Sequence, residues 1–373
     1  MEKFCVFCGE RPQDKNREHV IPRWLIEKTG DPNRKARFGL DFHSDPPQLR
    51  EFSFDSLTFP ACSHCNADFS KLEESAKSII TSLIACQALS ELDLSTLLDW
   101  LDKVRVGLWL GYLYLDRNPM GIKPQYHISS RVGKSDRTVG ILRMPGRHKG
   151  INFIGPESPC FQHSPTCFAL LIDDFCFINV AGISICSKRL GFPFAQPRHL
   201  RDDGMVEVSI GLGTGCVMRP VLKDLVLAHA VLVHQPVYQI CLEGAEARGA
   251  LESEWLKRRS LKWEEGIGGV FIEKSDSVRR YPVEGTLDWL PDRRWELRQV
   301  YRSVLPLVYG RLIHDLKSGA VISGREQRKQ LLENVAAYER IHGVMLARLR
   351  RERPWNQVEP LRLTGTTNNF RLG

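Results

Sequence analysis

Between residues 66 and 89 apolar side chains return at three- and four-residue steps: Phe69, Leu72, Ala76, Ile79, Ile80, Leu83, Ile84 and Leu89. That spacing predicts a helix with one buried face, starting close to Cys65. A second helix is predicted over 95–115, with Ser95 as its N-cap and Asn118-Pro119 ending it. Two short apolar runs, 168–172 and 175–180, flank Asp173-Asp174 and predict a β-hairpin. Further extended segments are expected at 206–210 and 231–240, while 221–230 suits helix or strand equally. Two amphipathic helices are predicted over 295–316 and 325–351, separated by a turn at 319–324, with Pro306 kinking or breaking the first. Residues 1–66 read differently, as loop-rich chain with short extended pieces and many turn formers such as Gly30-Asp31-Pro32-Asn33 and Asp45-Pro46-Pro47. The stretch 121–165 reads as loops with short strands. The fold class expected is therefore α+β. A module over 1–90 precedes a mixed helical and hairpin-containing domain over 91–373, which ends in two basic helices.

Composition narrows the class. An apolar share of 42% is enough to build real cores, and a charged share of 26% is ordinary for a soluble protein. The most apolar window, 167–186, is interrupted by Asp173 and Asp174, and no stretch reaches the roughly 18–20 residues of a membrane span. Residues 1–9 lack a basic-then-apolar signal pattern, so no membrane association and a cytoplasmic location are expected. A net charge of +8 and a pI near 8.9 lean mildly toward an anionic partner. Placement says more: basic residues recur densely from Arg293 to the cluster Arg348, Arg350, Arg351 and Arg353.

The 11 cysteines fall into two groups. Cys86, Cys160, Cys167, Cys176, Cys186, Cys216 and Cys241 stand singly, mostly in apolar runs, and read as small buried hydrophobes of a reducing compartment. Cys5, Cys8, Cys62 and Cys65 form two Cys-x2-Cys pairs in the part of the chain least able to pack on its own. Two such pairs supply the four thiolates of a structural zinc. Cys5-Val6-Phe7-Cys8-Gly9 has the form of a knuckle, and Cys62-Ser63-His64-Cys65 stands where the long helix begins. A knuckle joined to a helix-start pair is the arrangement of a treble-clef finger. The cysteines alone leave open whether that zinc does anything beyond stapling.

Within the intervening loop stands Arg17-Glu18-His19-Val20-Ile21-Pro22-Arg23-Trp24. A histidine can take a proton from water near neutral pH, and a neighbouring carboxylate can hold a hard cation. Metal-assisted phosphodiester hydrolysis needs both functions. At this point the sequence resembles the His-Asn-His (HNH) endonucleases, specifically a bacterial group with Cys-x2-Cys, Arg-Glu-His-Val-x-Pro-Arg-Trp-Leu, then Cys-x2-Cys-Asn and Leu-Glu. The matching residues are Cys5 and Cys8, 17–25, 62–66, and Leu72-Glu73.

The resemblance implies a ββα-metal fold, with Glu18 as a first ligand to a catalytic Mg²⁺ or Mn²⁺ and His19 as general base. Asn66 would be a second ligand, in the place of the motif's final histidine. Glu73, two helical turns beyond Asn66, is a ligand or simply a helix-surface charge; Asn66 is otherwise a helix-capping residue. The resemblance also implies nucleic acid as partner, double-stranded DNA before RNA, with bacterial defence as an association. One position departs from the pattern. No asparagine precedes the second cysteine pair, where 54–60 reads Phe-Asp-Ser-Leu-Thr-Phe-Pro, leaving Asp55 or Ser56 to hold the histidine-bearing loop. That departure favours a second reading, a non-catalytic zinc-containing nucleic-acid-binding subunit of a larger, RNA-guided complex.

Beyond residue 90 the signals are weaker. Trp100, Trp109, Tyr112 and Tyr114, interleaved with Lys103 and Arg105, suit either a helix core or base stacking, with core the ordinary reading. Residues 211–215, Gly-Leu-Gly-Thr-Gly, lack the Lys-Ser/Thr of a phosphate loop. Arg293, Arg294, Arg298, Arg302 and Arg311 would either track a phosphate backbone or form a solvated face.

Overall fold

The computed structural model describes residues 3–14, 16–41, 48–115, 121–124, 126–132, 137–146, 150–156, 158–181, 185–192, 194–200, 206–211, 219, 230–235, 269–273, 277–280, 287, 289–291, 300–319 and 325–351. The elements are mixed α and β, in agreement with the class expected. The chain opens with β1 (Arg17–His19), α1 (Arg23–Lys28), β2 (Lys35–Asp41), β3 (Gln48–Ser53) and β4 (Thr58–Pro60). β1 and β4 pair antiparallel, with Arg17 opposite Pro60, Glu18 opposite Phe59 and His19 opposite Thr58. β2 and β3 form a separate antiparallel pair inserted between them.

Two long helices follow, α2 (Ser63–Ile84) and α3 (Glu91–Leu115). α2 starts within the second cysteine pair and buries Ala76, Ile79, Ile80 and Leu83, the face its periodicity predicts. α3 starts four residues before the expected Ser95, because Ser90 is the cap. Its Oγ accepts from the Asp93 amide at 3.1 Å and donates to the Asp93 carboxylate at 2.7 Å, a reciprocal capping arrangement. Every residue from Trp100 to Leu113 is buried, as befits a helix apolar on all sides. Trp100, Trp109 and Tyr112 belong to the core, and Lys103 and Arg105 are buried with them. None of these is available to stack on bases.

Downstream come α4 (Ile128–Arg131), β5 (Arg137–Arg143), β6 (Ile151–Ile154), α5 (Pro159–His163), β7 (Cys167–Ile172), β8 (Phe175–Ala181), α6 (Ile185–Leu190), β9 (Phe194–Leu200), β10 (Val206–Gly211), β11 (Val231–Gln235), β12 (Gly269–Glu273) and β13 (Val278–Arg280). Seven of the strands make an antiparallel sheet in the order β13-β12-β11-β5-β8-β7-β6. The predicted hairpin is β7–β8, turning at Asp173 with a positive φ of 47°. β7 and β8 are buried along their whole length. Such strands read as continuous apolar runs because both faces are covered.

Alternation along the strands shows what covers them. Arg137 and Asn179 point toward α3, where Asp102 accepts from Arg105 at 2.6 Å and from Arg137 at 2.9 Å, and Arg105 also reaches Asn179. Thr138 and His234 point to the opposite face, where Ser187 of α6 meets the His234 ring at 2.9 Å. Burial would push the Asp102 carboxyl up, but Arg105 and Arg137 outweigh it and hold it below the usual range.

The boundary expected near residue 90 falls between α2 and α3, which pack together, and one continuous apolar cluster runs from Cys5 to Tyr309. In the C-terminal part, a π-helical turn over Val300–Val304 gives way to α7 (Leu305–Gly319) beside Pro306. The missing amide of Pro306 accounts for an irregularity at this point. α8 (Arg325–Arg351) matches the predicted range. The ambiguous segment 221–230 (apart from Ala230), the glycine-rich 212–215, Arg293, Arg294, Arg298, Cys216, Cys241 and Arg353 lie outside the described residues. Of the single cysteines that are described, Cys160, Cys167, Cys176 and Cys186 are buried as expected, and Cys86 is exposed. Among the described residues no helix is long and apolar enough to cross a membrane.

Candidate functional site

The first cysteine pair sits in a tight turn. The Cys5 amide donates to the Glu10 carbonyl at 2.7 Å, and the Gly9 amide to the Cys5 carbonyl at 2.9 Å. Gly9 has φ +85°, and a Cβ there would lie 2.4 Å from the His127 ring, so glycine is required twice over. The Val6 amide donates to the Pro60 carbonyl at 3.0 Å, docking the turn onto β4. Cys62 is the N-cap residue of α2, and Cys65 lies in its first turn.

These contacts bring the sulfurs of Cys5, Cys8, Cys62 and Cys65 within 4.8 Å of one another, with Cys8 and Cys62 at 3.9 Å. A tetrahedron with metal–sulfur bonds of about 2.3 Å sets its sulfurs about 3.8 Å apart, so the quartet fits zinc. Burial would raise the Cys5 thiol, but the backbone around it, at Cys8, Cys62 and Phe7, holds it below the ordinary value. Burial and the neighbouring sulfurs push Cys62 up to about 12 and raise Cys65 as well. Crowded thiols cannot all ionise together without a cation among them.

The β1–β4 pair displays the motif residues on two faces. Glu18 is buried, whereas Arg17 and His19 point the other way. Asp55 is positioned by the turn Phe54–Ser56, whose amides are anchored upstream: Phe54 donates to the Arg34 carbonyl and Asp55 to the Pro32 carbonyl, each at 3.1 Å. Arg34 stiffens that loop, donating to the Ile26 carbonyl at 3.0 Å and the Thr29 hydroxyl at 2.8 Å. His19 Nε2 lies 3.2 Å from the Asp55 carbonyl oxygen and 3.6 Å from its carboxylate. A carbonyl can only accept, so this contact puts the proton on Nε2 and leaves Nδ1 as the basic nitrogen. Asp55, one of the two residues expected to substitute for the missing asparagine, thus holds the histidine through its backbone.

Glu18 has a different environment from the one its motif implies. Lys103, projecting from α3, donates to the carboxylates of both Glu18 and Glu73. Its ammonium also lies 5.9 Å from the centre of the Phe7 ring, which stacks on Phe69 at 4.7 Å. Burial alone would lower Lys103, but the two carboxylates outweigh it and keep the ammonium charged. Burial pushes Glu18 up; Lys103 opposes that shift, while Glu73 adds to it. Glu73 is therefore a partner of Lys103 and not a free helix-surface charge.

Asn66 is half-buried in the first turn of α2, two turns and about 10 Å along the helix axis from Glu73. It is not the helix cap, since Cys62 takes that place. Among the described residues the four cysteines are the one cluster of His, Cys, Asp and Glu side chains gathered tightly enough for a metal. Glu18 and Asn66 do not fit a resident Mg²⁺ or Mn²⁺, because the Glu18 carboxylate is already neutralised by an ammonium. Sequence reasoning missed the role of Lys103, which is 85 residues from Glu18. The available signal was a lone lysine on a helix apolar on all sides, a position that demands buried partners.

Compared with protein-family models, with curated proteins and with solved structures, the chain gives no match.

Proposed function

We propose that residues 3–84 form an HNH-type nuclease module with a treble-clef zinc staple, which hydrolyses phosphodiester bonds of nucleic acid, DNA before RNA, with His19 as the base and no divalent ion on Glu18. The observation that carries this reading is the contact between His19 Nε2 and the Asp55 carbonyl. It fixes the tautomer in which Nδ1 can take a proton from water as that water attacks phosphorus. Arg17, two residues away on the same strand face, supplies positive charge where a phosphate backbone would lie, while Arg23, exposed just beyond, is paired with Glu27 at 2.8 Å. Zinc held by Cys5, Cys8, Cys62 and Cys65 supplies rigidity: it pins the start of α2 against the turn docked on β4.

Lys103, paired with Glu18, favours a second reading: a zinc-containing module that binds nucleic acid without cutting it, within a larger complex. Plasmid and RNA cleavage by the parent and by His19→Ala, with Mg²⁺, with Mn²⁺ and with neither, separates the two. The nuclease reading expects His19→Ala to lower the rate by about 10²–10⁴-fold. Equal cutting by both proteins removes His19 from its role. No cutting by the parent, together with DNA retention that weakens with salt, leaves the binding reading.

A further inference from the structure

We propose that Lys103 is the resident cation of the Glu18–Glu73 carboxylate pair, so that its ammonium takes the place in which a nuclease of this design would hold a divalent ion. The inference rests on reading β1–β4–α2 as nuclease-type, since only that reading expects an ion at Glu18. Three observations carry it. Glu18 comes from β1 and Glu73 from α2, yet both accept from the same nitrogen. Phe7 closes over that nitrogen, and the lysine side chain is 0% exposed, so the ammonium is enclosed and not swinging in solvent. Finally, Lys103 belongs to the most deeply buried stretch of α3, flanked by Asp102 with its two arginines, so the backbone that carries it is held firmly. An ammonium offers three donors and a single charge, whereas Mg²⁺ or Mn²⁺ demands an open set of oxygens. Both cannot occupy one carboxylate pair.

The test measures metal binding and not cleavage, so its failure is distinct from failure of the nuclease reading. Zinc-loaded full-length protein is titrated with Mn²⁺ while free Mn²⁺ is followed by electron paramagnetic resonance. The parent should show no Mn²⁺ site that Glu18→Gln removes. Lys103→Met should gain one, with a dissociation constant on the order of 10⁻⁴ to 10⁻³ M, and Lys103→Met/Glu18→Gln should lose it again. A Mn²⁺ site in the parent that disappears in Glu18→Gln overturns the proposal, as does a folded Lys103→Met with no gain. If Lys103→Met does not fold, the comparison of parent with Glu18→Gln decides alone.

Discussion

Replacing Gly111 by alanine tests how the histidine-bearing strands are seated. Lys103, Gly107 and Gly111 recur at four-residue steps on α3, so they share one helix face. That face carries β1 and β4: a Cβ on Gly111 would lie 2.3 Å from two carbons of the Phe59 ring. Normal carbon contacts are about 3.5–4.0 Å, so the ring must move by more than about 1 Å. Phe59 is fully exclused from solvent and is met from the side by Tyr114, with ring centres 6.3 Å apart, which leaves it little room.

Two effects of opposite sign compete. Alanine for glycine inside a helix gains about 0.8–1.0 kcal/mol in propensity. Overpacking costs about 1–3 kcal/mol, and a clash with a buried ring belongs at the upper end. Gly111→Ala should therefore lose about 1–2 kcal/mol net in urea unfolding. Gly107→Ala should lose less, because its Cβ would meet the smaller Val20 side chain at 2.7 Å and 2.9 Å. Phe59 sits opposite Glu18 in register, so the imidazole resonances of the adjacent His19 should also shift in Gly111→Ala. A variant stabilised by about 1 kcal/mol, as at an exposed helix glycine, would refute this seating.

Metal analysis of the purified chain should find about one zinc, and Cys62→Ser or a strong chelator should raise amide hydrogen exchange across residues 3–62 while β5, β7 and β8 stay protected. A zinc-free chain with that segment still protected would contradict the staple. Burial lowers His234 to about 3, so this residue folds neutral. A depressed histidine contributes stability above its unfolded value of about 6.5 and loses it as pH falls toward the folded value, at about 1.4 kcal/mol per pH unit. Between about pH 7.5 and pH 5.5 the parent should lose about 1.4 kcal/mol more than His234→Gln in urea titrations; equal losses would show that His234 charges freely in the folded state.

The parts of this molecule legible in the sequence are those set by local chemistry. Spacing alone placed the buried face of α2, the β7–β8 turn at Asp173-Asp174, the range of α8 and the four-cysteine cluster. In each case the determining residues lie within a few positions of one another or share one ligand-binding requirement. Sequence does not fix the start of α3, because Ser90 and Ser95 both suit a cap and only the reciprocal contact with Asp93 decides between them. Glu18 and His19 were identifiable by motif, but their surroundings were not. The Asp55 carbonyl carries no sequence signal, because a backbone oxygen belongs to every residue and only the fold of the turn aims it at the imidazole. The partner of Glu18 comes from a helix 85 residues away. Only tertiary packing, with two glycines letting the strands lie close on α3, brings that ammonium to the carboxylate. Sequence determined which groups are present; burial and long-range packing decided which charges they meet, because a charge removed from water must be paired by whatever the fold places beside it.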